Sequence, residues 1–253
     1  SPQSEERWRS LSSDDNTIVH MTGNMKCDIA ADEPLDELGK RRKLIELGLM
    51  REEEPLPLVL IGASTWPGEE AMLLKAFERV KQEGLNVKML IVPRHAERRH
   101  EIRPLLETQT HAWHQRSRSA SPEAGPVDIL LADTTGELGE LTRIADVAFI
   151  GKTLPPNSGG QSPIEAAACG AAMVYGPSMS NFREMAESLE QSGGAMRVEN
   201  TNDAQDTIGE LLKDHQKRKQ IGQSAKHWHQ QQAGATKRVF HLLEEVLKPR
   251  SSS

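Results

Sequence analysis

From residue 57 onward, short apolar runs alternate with segments whose apolar positions recur every three or four residues. The runs 57–64 (PLVLIGAS), 86–95 (NVKMLIVPRH), 127–134 (VDILLADT), 147–153 (VAFIGKT), 171–177 (AAMVYGP) and 195–200 (AMRVEN) predict six strands. Helices are predicted between them. In 67–84, Pro67 and two Glu suit a first turn, Gly84 suits a C-cap, and Met72, Ala76, Phe77 and Val80 share one face. Further helices are expected at 100–109, weakened by Pro104, and at 136–146, 162–170 and 181–193. A polar-rich helical region fills the chain from Asn202 to about Lys248. Its apolar residues Val239, Phe240, Leu242, Leu243, Val246 and Leu247 form a face that packs back across the sheet or toward another domain. The Ser-, Arg- and Pro-rich stretch 111–126 reads as a loop or disordered insert.

Strictly alternating strands and helices give an α/β fold, a Rossmann-like parallel sheet with helices on both faces. The strands are near-continuous apolar runs, as strands covered on both sides should be. Ligands of such sheets bind at the carboxyl ends of the strands, which is where the unusual residues of this chain concentrate.

Composition narrows the function. The chain has 253 residues, 36% apolar and 27% charged, with a formal net charge of −6. That charge offers no broad attraction to nucleic acid or an anionic membrane. No apolar stretch approaches the ~20 residues of a spanning helix. Cys27 and Cys169 lie far apart, with neither metal-ligand nor disulfide-framework spacing. The polar start lacks an initiating Met and a signal-peptide core, so a fragment of something longer is expected.

Four strand ends carry candidate chemistry. After the first strand, Gly62 allows a tight turn, and Ser64 and Thr65 offer hydroxyls; a capped strand–helix turn explains them equally. After the second, Pro93 precedes Arg94, which suits bidentate pairing with a phosphate but also reads as one solvated cation in a loop with Arg98 and Arg99. After the third, Thr134, Thr135 and Gly136 lead into a helix with Glu137 in its first turn, either a ligand-holding segment or a plain cap. The richest stretch is 159–170, GGQSPIEAAACG. Gly159 and Gly160 suit a loop packed on a phosphate, Ser162 an N-cap, Pro163 position N1 and Glu165 position N3 after Ile164. Glu165 can close a capping box with Ser162, or accept hydrogen bonds from two ribose hydroxyls.

Seven blocks, 22–28 (TGNMKCD), 62–70 (GASTWPGEE), 92–98 (VPRHAER), 131–138 (LADTTGEL), 145–154 (ADVAFIGKTL), 159–170 and 175–187 (YGPSMSNFREMAE), occur in the order found in 3-deoxy-D-manno-octulosonic acid (Kdo) transferases, which the chain resembles over roughly residues 5–190. The resemblance implies the C-terminal, donor-binding half of a GT-B glycosyltransferase that uses CMP-Kdo and a lipid A precursor. It places Pro93 and Arg94 on the CMP phosphate, Thr135, Gly136 and Glu137 in a second nucleotide-contacting segment, and Ser162, Pro163, Ile164 and Glu165 in a third, with Glu165 on the ribose. The family usually reads Gly-Gly-His-Asn where this chain has Gly159-Gly160-Gln161-Ser162; it has Gly for Lys152 and Pro for Ala166.

No cofactor or metal is implied. The catalytic base matches nothing in this chain and is expected, with the membrane contact, in a preceding N-terminal domain; the location implied is the cytoplasmic face of the bacterial inner membrane. The expected division is 1–30 as the end of that domain and a connection, 31–200 as the nucleotide-sugar domain, 201–248 as C-terminal helices and 249–253 as a disordered tail. A GT-B enzyme using a UDP-sugar and a non-catalytic binding or scaffold protein stand as alternatives.

Overall fold

A computed structural model describes residues 2–11, 18–29, 33–118 and 125–247. In chain order the elements are α1 (Pro2–Leu11), α2 (Lys26–Ile29), α3 (Glu37–Glu46), β1 (Leu58–Thr65), α4 (Glu69–Gln82), β2 (Val87–Pro93), α5 (Arg99–Glu107), β3 (Trp113–Gln115), β4 (Ile129–Leu131), α6 (Leu138–Thr142), β5 (Val147–Ile150), α7 (Ile164–Cys169), β6 (Ala172–Tyr175), α8 (Arg183–Gln191), β7 (Ala195–Arg197), α9 (Thr201–Lys213), α10 (His215–Gln232) and α11 (Ala235–Leu247).

The strands form one parallel sheet in the order β3-β4-β2-β1-β5-β6-β7. Chain progression leaves β1 toward β2 and β4, then returns to the other side of β1 with β5. The crevice beyond the carboxyl ends of β1 and β5 is therefore the topological switch point, where such sheets bind ligands.

Strand side chains alternate between two apolar clusters. Val59, Ile61 and Ala63 of β1 join one, with Leu44 and Leu47 from the α3 side, Leu141, Ala167, Leu189 and Trp228. Leu60 joins the other, with Phe77 and Val80 of α4, Ile102 of α5 and Ile208 and Leu211 of α9. Phe77 is fully buried, a contribution of about 2–3 kcal/mol.

Several boundaries differ from expectation. The stretch expected as a loop holds a seventh strand, β3, at the sheet edge; residues 119–124 of it lie outside the described residues. Trp113-His114-Gln115 is too short and polar to show a strand pattern, and pairing with β4 forms it. The helix expected from Pro67 starts at Glu69, because Gly68 sits in the left-handed region at φ 91°. The helix expected over 136–146 is only Leu138–Thr142, and the strand expected over 127–134 only Ile129–Leu131. The C-terminal region divides into three helices, the second capped by Asp214, whose side chain accepts the Lys217 amide. The expected disordered tail lies outside the described residues.

The front of the chain also carries structure that the apolar pattern did not suggest. Asp36 caps α3 by accepting the Gly39 amide. Lys40 of α3 reaches Asp146 at 2.6 Å, and Asp146 also accepts the Val59 amide at 2.7 Å, tying α3 to the start of β1. Asp28 accepts the Gly234 and Thr236 amides at 2.5 and 2.6 Å and so joins the N-terminal segment to α11.

The close approach of β1 and β5 depends on Gly151. A Cβ there would lie 2.2 Å from the Ser64 carbonyl oxygen, a backbone atom with nowhere to go. Gly151→Ala should cost about 2 kcal/mol or more in urea unfolding. Gly139→Ala, in α6 with nothing near its Cβ position, should not destabilise. The amides on Asp28, Thr236 first, pull its pKa down to about 2. Its hold on α11 is therefore present above the ordinary carboxylate range near ~4 and lost as pH falls toward 2. The Thr236 and Gly234 amide resonances should titrate with a midpoint near 2.

Candidate functional site

The carboxyl edge at the switch point is built around a buried glutamate. Glu69, 1% exposed, accepts hydrogen bonds from the amides of Trp66 at 2.8 Å, Lys152 at 2.9 Å, Thr153 at 2.9 Å and Leu154 at 3.3 Å. One carboxylate thus holds the loop after β1 and the loop after β5 together. Burial raises its pKa, and the amides from Lys152, Thr153 and Trp66 only partly offset that.

Beside it, Glu70 is also 1% exposed and pairs with Arg98 in a two-pronged contact of 2.5 and 3.1 Å. Arg98 also donates to the Thr65 carbonyl at 2.9 Å. Arg98 is therefore an internal strut rather than the solvated cation of the loop reading, and it fixes the turn that presents Arg94. The Arg94 amide donates to the same Thr65 carbonyl at 3.1 Å. Its guanidinium is exposed and has no ion-pair partner among the described residues. Pro93 is buried at the end of β2, opposite Thr65. Ser64 is the bulge residue where the β1–β2 register shifts, at φ 55°.

The loop after β4 is tied from the sheet edge. Asp133, 3% exposed, accepts from the Ser117 hydroxyl at 2.7 Å, the Ser117 amide at 2.9 Å and Gln115 at 2.7 Å. Burial alone would raise its pKa, but the Ser117 and Gln115 hydrogen bonds outweigh that and lower it. Thr135 and Gly136 are exposed. Glu137 precedes α6 as its cap residue rather than lying in the first turn, and its side chain turns to Arg116 at 3.2 Å and to the Thr134 hydroxyl. A ligand at this segment meets backbone and Thr135 more readily than a free Glu137 carboxylate.

The stretch 159–165 also departs in detail from the sequence reading. The Gly159 amide donates to the Ser178 hydroxyl and the Gly160 amide to the Lys152 carbonyl, each at 2.9 Å. The glycines pack this loop on its neighbours: a Cβ on Gly160 would lie 2.6 Å from the Met179 sulfur. Their amides are spent inside the protein rather than turned to a phosphate. The helix begins at Ile164, with Pro163 as the cap residue in place of Ser162. Ser162 instead donates its hydroxyl to Glu165 at 2.9 Å and accepts the Ile164 amide at 3.3 Å. Ile164 is buried at 1%, so a ligand could meet only its backbone. Glu165 is half-buried, and its other carboxylate oxygen has no partner among the described residues.

The strand ends thus bring Ser64, Arg94, the Thr135–Gly136 turn and Glu165 to one edge of one sheet. Among the described residues, no group of three or more His, Cys, Asp or Glu is placed to hold a metal, and no helix is long and apolar enough to cross a membrane.

Residues 70–228 match the family model described as glycosyl transferases group 1. The chain belongs to that family. This group 1 glycosyl transferase is 32% identical over 231 residues to a 3-deoxy-D-manno-octulosonic acid transferase of Bordetella pertussis, covering 90% of this chain and 51% of that protein. It is 30% identical over 232 residues to the enzyme of the same name from Haemophilus influenzae, covering 91% of this chain and 52% of that protein. The chain therefore spans about half the length of these relatives. The crystal structure of the C-terminal CMP-Kdo binding domain of WaaA from Acinetobacter baumannii matches with a TM-score of 0.64 at 22% identity, over 77% of this chain and 100% of that domain. That match shows the shared fold, a GT-B-type Rossmann-like domain.

Sequence reasoning missed Glu69, the Glu70–Arg98 pair, Asp133 and Arg116. The adjacent glutamates read as helix-start residues, and nothing local signals a carboxylate that binds amides some eighty residues later. Glu69→Ala would orphan several buried amides and should cost about 3 kcal/mol or more in urea unfolding. Because the Glu69 pKa is raised, its proton-linked contribution is full below the ordinary carboxylate range near ~4 and is lost as pH rises from there through the raised value.

Proposed function

We propose that this chain is the donor-binding half of a glycosyltransferase that moves Kdo from CMP-Kdo to a lipid A precursor, at the cytoplasmic face of a bacterial inner membrane. The observation that carries the reading is Arg94: an exposed guanidinium without an ion-pair partner among the described residues, on a turn braced by the buried Glu70–Arg98 pair at the carboxyl edge of the sheet. The two Kdo transferase relatives, each aligned over about nine-tenths of the chain, support Kdo as the sugar transferred.

In this reading Arg94 binds the CMP phosphate and stabilises the charge that grows on it as the sugar departs. The Thr135–Gly136 turn meets the nucleotide, and Glu165 accepts the ribose hydroxyls on the carboxylate edge that Ser162 leaves open. Glu137 serves the site through Arg116, by fixing the turn. The base that deprotonates the acceptor hydroxyl of an inverting transfer comes from a preceding domain. Without it, this chain binds donor nucleotide and does not transfer sugar.

Calorimetric titration with CMP tests the proposal. CMP should bind more tightly than UMP or UDP. Arg94→Ala should weaken CMP roughly 10- to 100-fold, as loss of a charge-assisted phosphate contact does, and Glu165→Ala about 10-fold. A folded chain that binds no cytidine nucleotide, or prefers UDP, would overturn the donor assignment.

A further inference from the structure

Lys152, one of the departures from the Kdo transferase pattern, directly borders the clamp at the switch point. It follows Gly151 at the end of β5, in the left-handed region at φ 62°, an unfavourable conformation for a side chain with a Cβ. Two contacts hold it there: its amide donates to the buried Glu69 at 2.9 Å, and its ammonium lies over the Trp66 ring, 4.6 Å from the centroid. The ammonium has no carboxylate partner among the described residues, and the two buried acids of the clamp, Glu69 and Glu70, are spent on amides and on Arg98. The same indole meets His95 edge-to-face at 5.7 Å, and His95 is the neighbour of Arg94. One aromatic ring therefore touches the Lys152 ammonium after β5 and the His95 ring after β2, with β1 between those strands.

A glycine would occupy the φ of Lys152 without strain, so the lysine is kept there at a cost to the backbone. A cation held against an aromatic face and left without a counter-charge is set to receive an anion. Arg94 accounts for one anion of a nucleotide donor, its phosphate. In a nucleotide-linked 2-ulosonic acid the anomeric carbon bears both the phosphate oxygen and the sugar carboxylate, so the second anion lies beside the first. We propose that Lys152, presented by Trp66 and Glu69, binds the carboxylate of the donor sugar and so tightens binding of an acidic donor. This rests on the donor-site reading above.

Calorimetry with CMP and with CMP-Kdo on the full 253-residue chain tests it. The wild type should bind CMP-Kdo about 10-fold more tightly than CMP. Lys152→Met should remove most of that difference while moving CMP affinity less than about two-fold. Lys152→Gly, which also releases the backbone, should lose the same discrimination with no fall in melting temperature. Equal affinity of wild type and both variants for CMP-Kdo overturns the proposal and leaves the donor site standing. A parallel loss of CMP affinity and melting temperature shows a structural clasp and overturns it as well. Failure of the folded wild type to bind CMP at all removes the donor-site reading, and this proposal with it.

Discussion

The edge of the sheet that matters depends on one buried carboxylate. β1 and β5 lie side by side in space but eighty-odd residues apart in the chain, and the loops that leave them diverge to opposite sides of the sheet. Backbone amides left in that gap would be buried without partners, at a cost of about 1–3 kcal/mol each. Glu69 answers four of them from the first turn of α4. Its acceptor capacity is used inward, so it shapes the site without presenting charge to a ligand. The absence of a side chain at Gly151 permits the approach that makes this clamp possible.

Around that clamp the charged residues separate into braces and free groups. Glu70 with Arg98, and Arg116 with Glu137, are paired charges that fix loop geometry. Asp133 acts similarly through Gln115 and Ser117, joining the short edge strand to the turn after β4. Arg94 and Lys152 remain without ion-pair partners among the described residues. A rigid frame in which Glu69, Glu70 and Asp133 are spent on protein partners leaves those cations without a buried counter-charge. Charge braced in this way also spares a bound ligand the entropy of ordering the loops.

Membership of the group 1 glycosyl transferases rests on most of the chain, whereas the Kdo transferase relatives extend for about as much length again. A GT-B enzyme works in the cleft between two domains, so a donor half carries binding groups and leaves the acceptor base to the other half. On α11, a helix tethered to the N-terminal segment through Asp28, the apolar residues Phe240, Leu243, Val246 and Leu247 are exposed rather than packed across the sheet.

The sequence by itself determined the layered α/β plan. Buried parallel strands must be apolar and their covering helices amphipathic, so periodicity alone exposed six of the seven strands and, apart from α3, the helices that cover the sheet. Ordered motifs at strand ends also marked Arg94, the Thr135–Gly136 turn and Glu165 as candidates, because short chemical signals survive in the linear order. Tertiary structure decided the rest. β3 exists only because β4 offers a pairing edge. Whether a glutamate is a clamp, a brace or a free carboxylate depends on which distant amide or guanidinium reaches it. Glu69, Glu70, Glu137 and Glu165 carry the same side chain, and only the folded neighbourhood assigns them different work.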